Sequence, residues 1–129
     1  MYDLPDDFNP VAFVGAVLER ISFGIGTIHL DLELNPRPTP GKFMEAAIVS
    51  LSYIKLQLPE GLYKIKVGAY ADIGKLGKLL NESVIRASVI GRRSIKLEFS
   101  EGSSIELEDD GGNFESYHVY LPGVGVIYV

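Results

Sequence analysis

Apolar and polar residues alternate with a period of two over most of this chain, and that pattern confines it to half-buried β-strands. Ile28, Leu30, Leu32 and Leu34 alternate with Thr27, His29, Asp31 and Glu33. Ile95, Leu97 and Phe99 alternate with Ser94, Lys96 and Glu98; Ile105 and Leu107 alternate with Ser104, Glu106 and Glu108. Between these two runs, Glu101-Gly102 predicts a two-residue hairpin turn. Leu62 to Tyr70 sets Tyr63, Ile65 and Val67 against Lys64 and Lys66. Glu115 to Leu121 places Tyr117, Val119 and Leu121 on one side, and Pro122-Gly123 then turns into the apolar run Val124 to Val129.

Three segments break the alternation. Met44 to Leu58 holds Ala46, Ala47, Ile48 and Val49 in a row, which fits one long buried strand or a short helix running into a strand. Asp72 to Asn81 predicts a helix, with Asp72 as cap and Ile73, Leu76, Leu79 and Leu80 on one face. Gly74 and Gly77 weaken it by about 1 kcal/mol each relative to alanine. A helical turn over Pro10 to Ala16 has Asn9 as cap and Pro10 at its first position. Asn35 to Gly41, with three prolines, is expected to be a surface loop.

The chain repeats itself. Phe13 to Phe23 aligns with Leu79 to Val89 without a gap, matching Arg20 to Arg86 and Ser22 to Ser88. After one inserted residue, Ile28 to Leu32 aligns with Ile95 to Phe99. The expected fold is therefore mainly β (α+β): antiparallel sheets from two similar β-meander pseudo-repeats, about 10–34 and 76–109, with one or two short helices. The repeats form a sandwich or a partly open barrel. At 129 residues the chain is expected to be a single domain, 1–129, large enough for its own core.

Composition removes several kinds of chemistry. No cysteine is present, which excludes disulfides, thiolate metal sites and a thiol nucleophile. A net charge of −5 argues against nucleic-acid binding. That charge is unevenly spread: residues 1–60 carry a net −4, residues 61–96 a net +6, and residues 97–129 a net −7 with no base at all. Either the blocks neutralise each other on adjacent elements, or the acids attract a basic protein. The opening Met1 to Asp7 is acidic and contains a proline, unlike a secretory signal, so the expectation is a soluble cytoplasmic protein with no membrane partner.

Few residues suit catalysis. His29 and Asp31 share one strand face, and His118 lies opposite its strand's apolar positions, so these three could line a pocket between the repeats. Gly24-Ile25-Gly26 lacks the rest of a phosphate loop. Glu108 to Asn113 lacks the spacing of a calcium loop, so no metal and no cofactor is expected. Glu106 and Glu108 share a strand face and could pair as acid and base.

Pro5-Asp6-Asp7-Phe8, Val14-Gly15, Leu18-Glu19 and Phe23-Gly24, with Leu97 to Gly102, Asp109-Asp110 and Glu115-Ser116-Tyr117, resemble the opening and closing motifs of a family of short bacterial proteins of unknown function. The resemblance implies a small β-rich domain and no established catalytic residues. By analogy of size and charge it points toward immunity proteins that neutralise toxins. The leading expectation is a non-enzymatic protein-binding module, in its sharp form one that meets a basic toxin domain, that contacts its partner through Glu106, Glu108, Asp109, Asp110, Glu115 and Tyr120. The rivals are a small-ligand-binding barrel or enzyme around His29, Asp31 and His118, and a structural homo-oligomer joined through Ala46 to Leu58 or the final strand.

Overall fold

The alternating runs form ten antiparallel strands in a computed structural model that describes residues 3–34, 45–109 and 115–129. They are β1 (Val17–Phe23), β2 (Ile28–Glu33), β3 (Glu45–Ser50), β4 (Tyr53–Leu58), β5 (Gly61–Lys66), β6 (Arg86–Ile90), β7 (Ser94–Glu98), β8 (Ser104–Leu107), β9 (Tyr117–Leu121) and β10 (Gly125–Tyr128). Two five-stranded sheets result, in the orders β1-β2-β3-β9-β10 and β5-β4-β8-β7-β6. The alternation decides which side of each sheet is dry. Ile28, Leu30 and Leu32 of the first sheet, and Ile54, Leu56, Ile95, Leu97, Ile105 and Leu107 of the second, are buried in one shared cluster. Each sheet thus turns one face to a common core and the other outward, which makes a β-sandwich. Among the described residues the strands do not close into a barrel.

Met44 to Leu58 contains two strands, in different sheets. β3 lies between β2 and β9, β4 lies between β5 and β8, and the chain crosses at Leu51-Ser52. The even-numbered residues Ala46, Ile48, Ile54, Leu56 and Leu58 face the core throughout. The pattern is obscured because Ala47 and Val49 are apolar although they face outward.

The predicted helix over 72–81 is instead a 3-10 segment, Ile73–Leu79, and the Asp72 side chain makes no capping bond. With three residues per turn, Ile73, Leu76 and Leu79 line up toward the core, while Leu80 falls off the stripe and is 39% exposed. Gly74 and Gly77 lower the advantage of a full α-helix here. Pro10–Phe13 is also 3-10, and the Asn9 side chain accepts from the Val11 N–H at 3.1 Å as expected. Glu101 and Gly102 both have positive φ, 61° and 75°, but the turn is three residues long rather than two: Ser100 to Gly102 separate Phe99 from Ser103, whose carbonyl accepts the Phe99 N–H at 2.8 Å.

The repeat is larger than the sequence match. Read from β6, the second sheet runs β6-β7-β8-β4-β5, the same plan as β1-β2-β3-β9-β10. Each half of the chain forms a three-strand meander in one sheet, then gives its last hairpin to the other sheet. The halves also meet through a symmetric set of main-chain bonds. Gly15 N–H donates to the Val84 carbonyl at 2.7 Å, and Asn81 N–H to the Leu18 carbonyl at 2.8 Å. Leu18 N–H donates to the Glu82 carbonyl at 3.1 Å, and Val84 N–H to the Ala16 carbonyl at 2.8 Å. Each bond is the image of its companion under the shift that aligns Phe13 with Leu79. Gly15 and Asn81, equivalent under that shift, both adopt left-handed backbone, with φ of 85° and 68°. This ladder stitches the sandwich along its β1–β6 side and leaves β5 and β10 as the opposite edges. Among the described residues no helix is long and apolar enough to cross a membrane.

Candidate functional site

The outer face of the second sheet is a lattice of charges. Cross-strand pairing places Lys64, Lys55, Glu106, Lys96 and Ser88 in one row. Lys55 Nζ lies 2.7 Å from Glu108 and 3.3 Å from Glu106, and the Tyr53 hydroxyl donates to Glu108 at 2.7 Å. Lys64 Nζ sits 4.1 Å above the Tyr53 ring. The two carboxyls are thereby pushed apart. Glu108 is pulled down to about 2, first by the hydrogen bond from Glu106 and then by those from Lys55 and Tyr53. Glu106 is raised by desolvation and by its contact with Glu108. The neighbouring row pairs Arg86 with Glu98 at 3.9 Å.

Of the six residues predicted to form one acidic contact face, the five that the structure describes are distributed around the molecule. Glu106 and Glu108 lie on the outer side of the second sheet and hold Lys55. Asp109 lies just past β8, where its carboxylate is 2.8 Å from Arg93 and accepts from the Ser116 hydroxyl at 3.2 Å. Arg93 also binds Asp3, and its carbonyl accepts the buried Tyr117 hydroxyl at 2.6 Å. Glu115 contacts His118 at 2.8 Å. Tyr120 is 44% exposed and stands on the outer face of the first sheet. Asp110 falls outside the described residues. The basic and acidic blocks therefore meet on neighbouring elements, Arg86 with Glu98 and Arg93 with Asp109, while Lys55, from the first block, holds Glu106 and Glu108.

His29, Asp31 and His118 share the outer face of the first sheet and do not line a pocket between the repeats. His29 and His118 pair with Val49 from opposite sides, so two strand spacings, about 10 Å, separate them. The reason is parity: all three alternate with core residues and so face outward. Asp31 is held by Arg20 at 3.3 Å. A surface depression of about 510 Å³ lies elsewhere, between Asp3–Phe8 and the β6–β7 turn, lined in part by Val89 and Arg92. Among the described residues no group of three or more His, Asp or Glu side chains is placed to hold a metal ion.

That first-sheet face has a different character from its counterpart. One row runs Ser22, His29, Val49, His118 and Tyr128; the next runs Arg20, Asp31, Ala47, Tyr120 and Val126. Tyr128 and Val126 are 46% and 48% exposed, and the Tyr128 ring meets His118 edge-on with centroids 4.5 Å apart. Ala47, Val49, Tyr120, Val126 and Tyr128 form an apolar and aromatic end of this face. Of these, the sequence placed only Tyr120 in the expected acidic contact face; the others lie in the two segments expected to join a homo-oligomer, Ala46 to Leu58 and the final strand. The signal for the others was the unbroken run Ala46 to Val49, in which outward positions are apolar. The oligomer expected through Ala46 to Leu58 finds that segment in the middle of both sheets with its inward side chains buried.

No protein-family model, curated protein or solved structure matches this chain.

Proposed function

We propose that this chain is a non-enzymatic protein-binding module whose contact surface is the outer face of the first sheet, centred on Tyr120. The observation that carries this reading is the contrast between the two outer faces. On the second sheet, Lys55 and Arg86 hold Glu106, Glu108 and Glu98, and the exposed apolar residues Leu62 and Ile90 stand apart on the two edge strands. On the first, Tyr120, Val126 and Tyr128 stand about half exposed on adjacent strands beside Ala47 and Val49. Half-exposed tyrosines contribute large contact area at low entropy cost, and clustered apolar surface marks interaction sites.

The sharper form of this reading is an immunity protein that neutralises a bacterial toxin domain in the cytoplasm. Its support is the small size of the chain and the acidic last third. Glu106, Glu108, Asp109 and Glu115 each already hold a cation or an imidazole of the chain itself. The partner is therefore recognised first by aromatic and aliphatic contact, with charge in a secondary role.

Capture from a lysate of the native host tests the face. Tyr120→Glu is expected to reduce recovery of the partner at least about tenfold, because it puts a charge at the centre of the contact. Glu106→Lys, on the opposite face, is expected to leave recovery unchanged. Loss on Glu106→Lys with full capture by Tyr120→Glu would overturn the assignment.

A further inference from the structure

The two edge strands, β5 and β10, occupy equivalent places in the repeat, yet they are guarded differently. Val129 N–H donates to the Tyr117 carbonyl at 2.9 Å, and Tyr117 N–H donates back to the Val129 carbonyl at 3.2 Å. This fixes the phase of the β9–β10 ladder. Tyr117 and Val129 are a hydrogen-bonded pair, so His118–Tyr128 and Tyr120–Val126 are non-hydrogen-bonded pairs. The main-chain N–H and C=O of Val126 and Tyr128 therefore point away from β9, out of the sheet. Among the described residues nothing pairs with them. On β5 the corresponding bond is Val67 N–H to the Ser52 carbonyl at 2.8 Å, so the main chain of Lys64 and Lys66 points outward there, with the Lys66 carbonyl already accepting the Ala69 N–H at 3.0 Å. Lysines along an edge discourage strand addition. From Gly125 to Tyr128, β10 carries no charge.

We propose that β10 pairs with β10 of a second copy of this chain across a two-fold axis, joining two five-stranded sheets into one continuous sheet. The strand is self-complementary in one antiparallel register, centred on Ile127. In that register Val126 of each copy stands opposite Tyr128 of the other. Val126 N–H donates to the Tyr128 carbonyl and Tyr128 N–H to the Val126 carbonyl, in both directions. These are the outward-pointing groups identified above. Every outer-face pair is then an aromatic ring against a β-branched side chain, a favourable cross-strand combination. On the inner side Ile127 meets Ile127, and no like charges meet. The same operation applied to β5 in the register that opposes Lys64 with Lys66 sets ammonium groups against each other. The assembled sheet places two Tyr120 faces side by side, but the pairing itself needs no other partner. It stands or falls on the purified chain alone, whatever the outcome of the capture experiment.

Analytical ultracentrifugation of the full chain from about 1 to 200 µM, with amide exchange read residue by residue, tests the proposal. A dimer is expected, with exchange at the Val126 and Tyr128 amides slowing as concentration rises. Val126→Lys combined with Tyr128→Lys makes each outer-face pair lysine against lysine and is expected to weaken association at least about a hundredfold while the circular dichroism spectrum is unchanged. A wild-type chain that stays monomeric across this range overturns the proposal. So does a dimer in which the Val126 and Tyr128 amides exchange as fast as in the monomer. That second measurement needs no variant and decides the matter even if the double substitution fails to fold.

Discussion

The two outer faces of this sandwich come from the same strand plan, and they have diverged at most equivalent positions. Where the second sheet has Lys55, the first has His118; Glu106 corresponds to Val49, Lys64 to Tyr128, Gln57 to Tyr120 and Leu62 to Val126. One ion pair survives in both halves: Arg20 with Asp31 at 3.3 Å and Arg86 with Glu98 at 3.9 Å. The inner faces keep their burial even where the residue changes, as where buried Ser50 of one half stands at the place of buried Leu107 in the other. Leu30 and Leu97, equivalent by the repeat, are both fully buried. The core sets the inward half of each strand and leaves the outward half free. One face of this molecule carries paired charges, and the other carries a cluster of half-exposed aromatic and aliphatic side chains.

The largest expected effects fall on the half of the comparison where the sheets agree. Leu30→Ala and Leu97→Ala should each cost about 2–5 kcal/mol of unfolding free energy, and the two values should lie within about 1 kcal/mol of each other. Urea denaturation of the two variants measures both. A large difference would mean that the two halves do not carry the core equally. A smaller effect sharpens the comparison where the sheets differ. Lys55→Ala removes the cation that Glu106 and Glu108 share, whereas His118→Ala removes its counterpart on a face with little charge. The first should lower the urea midpoint by at least about twice as much as the second.

Acid provides the smallest and most selective probe. The Glu108 carboxyl is held at about 2, below the usual value of about 4.3. Its stabilising contribution is complete above the unfolded value and is lost as pH falls from about 4 toward 2. Glu106, raised by desolvation, acts with the opposite sign: its contribution is complete at low pH and fades as pH rises through its folded value. The urea midpoint of the native chain should therefore fall between about pH 5 and pH 2.5, and Glu108→Gln should flatten that fall. An equal fall in both would show that the Lys55 cluster does not hold the second face together.

Much of this architecture was legible from periodicity. Strands such as Ile28 to Leu34 and Ser94 to Phe99 announced themselves because one face is buried and the other polar. The rest depended on contacts far apart in the chain. Nothing local says that the β4–β5 hairpin crosses to the other half's sheet, so the repeat appeared to end near Leu34 and Asp109. Lys55 and Glu106 are distant in sequence, and their pairing follows only from the β4–β8 register. For this reason the acids of the last third looked like one free face. Ala46 to Val49 resisted assignment because the outward face there is itself apolar, which is the property that distinguishes the contact surface proposed here. The Ile73–Leu79 segment kept its core leucines but tightened to three residues per turn.

The most direct test of the account compares one position with its symmetry equivalent. Tyr120 and Gln57 hold corresponding sites on the two outer faces. In the capture assay, Tyr120→Glu should abolish recovery of the partner and Gln57→Glu should leave it intact, with both variants folded. Loss of the partner on Gln57→Glu, with capture retained by Tyr120→Glu, would contradict the central claim that the first sheet carries the contact face.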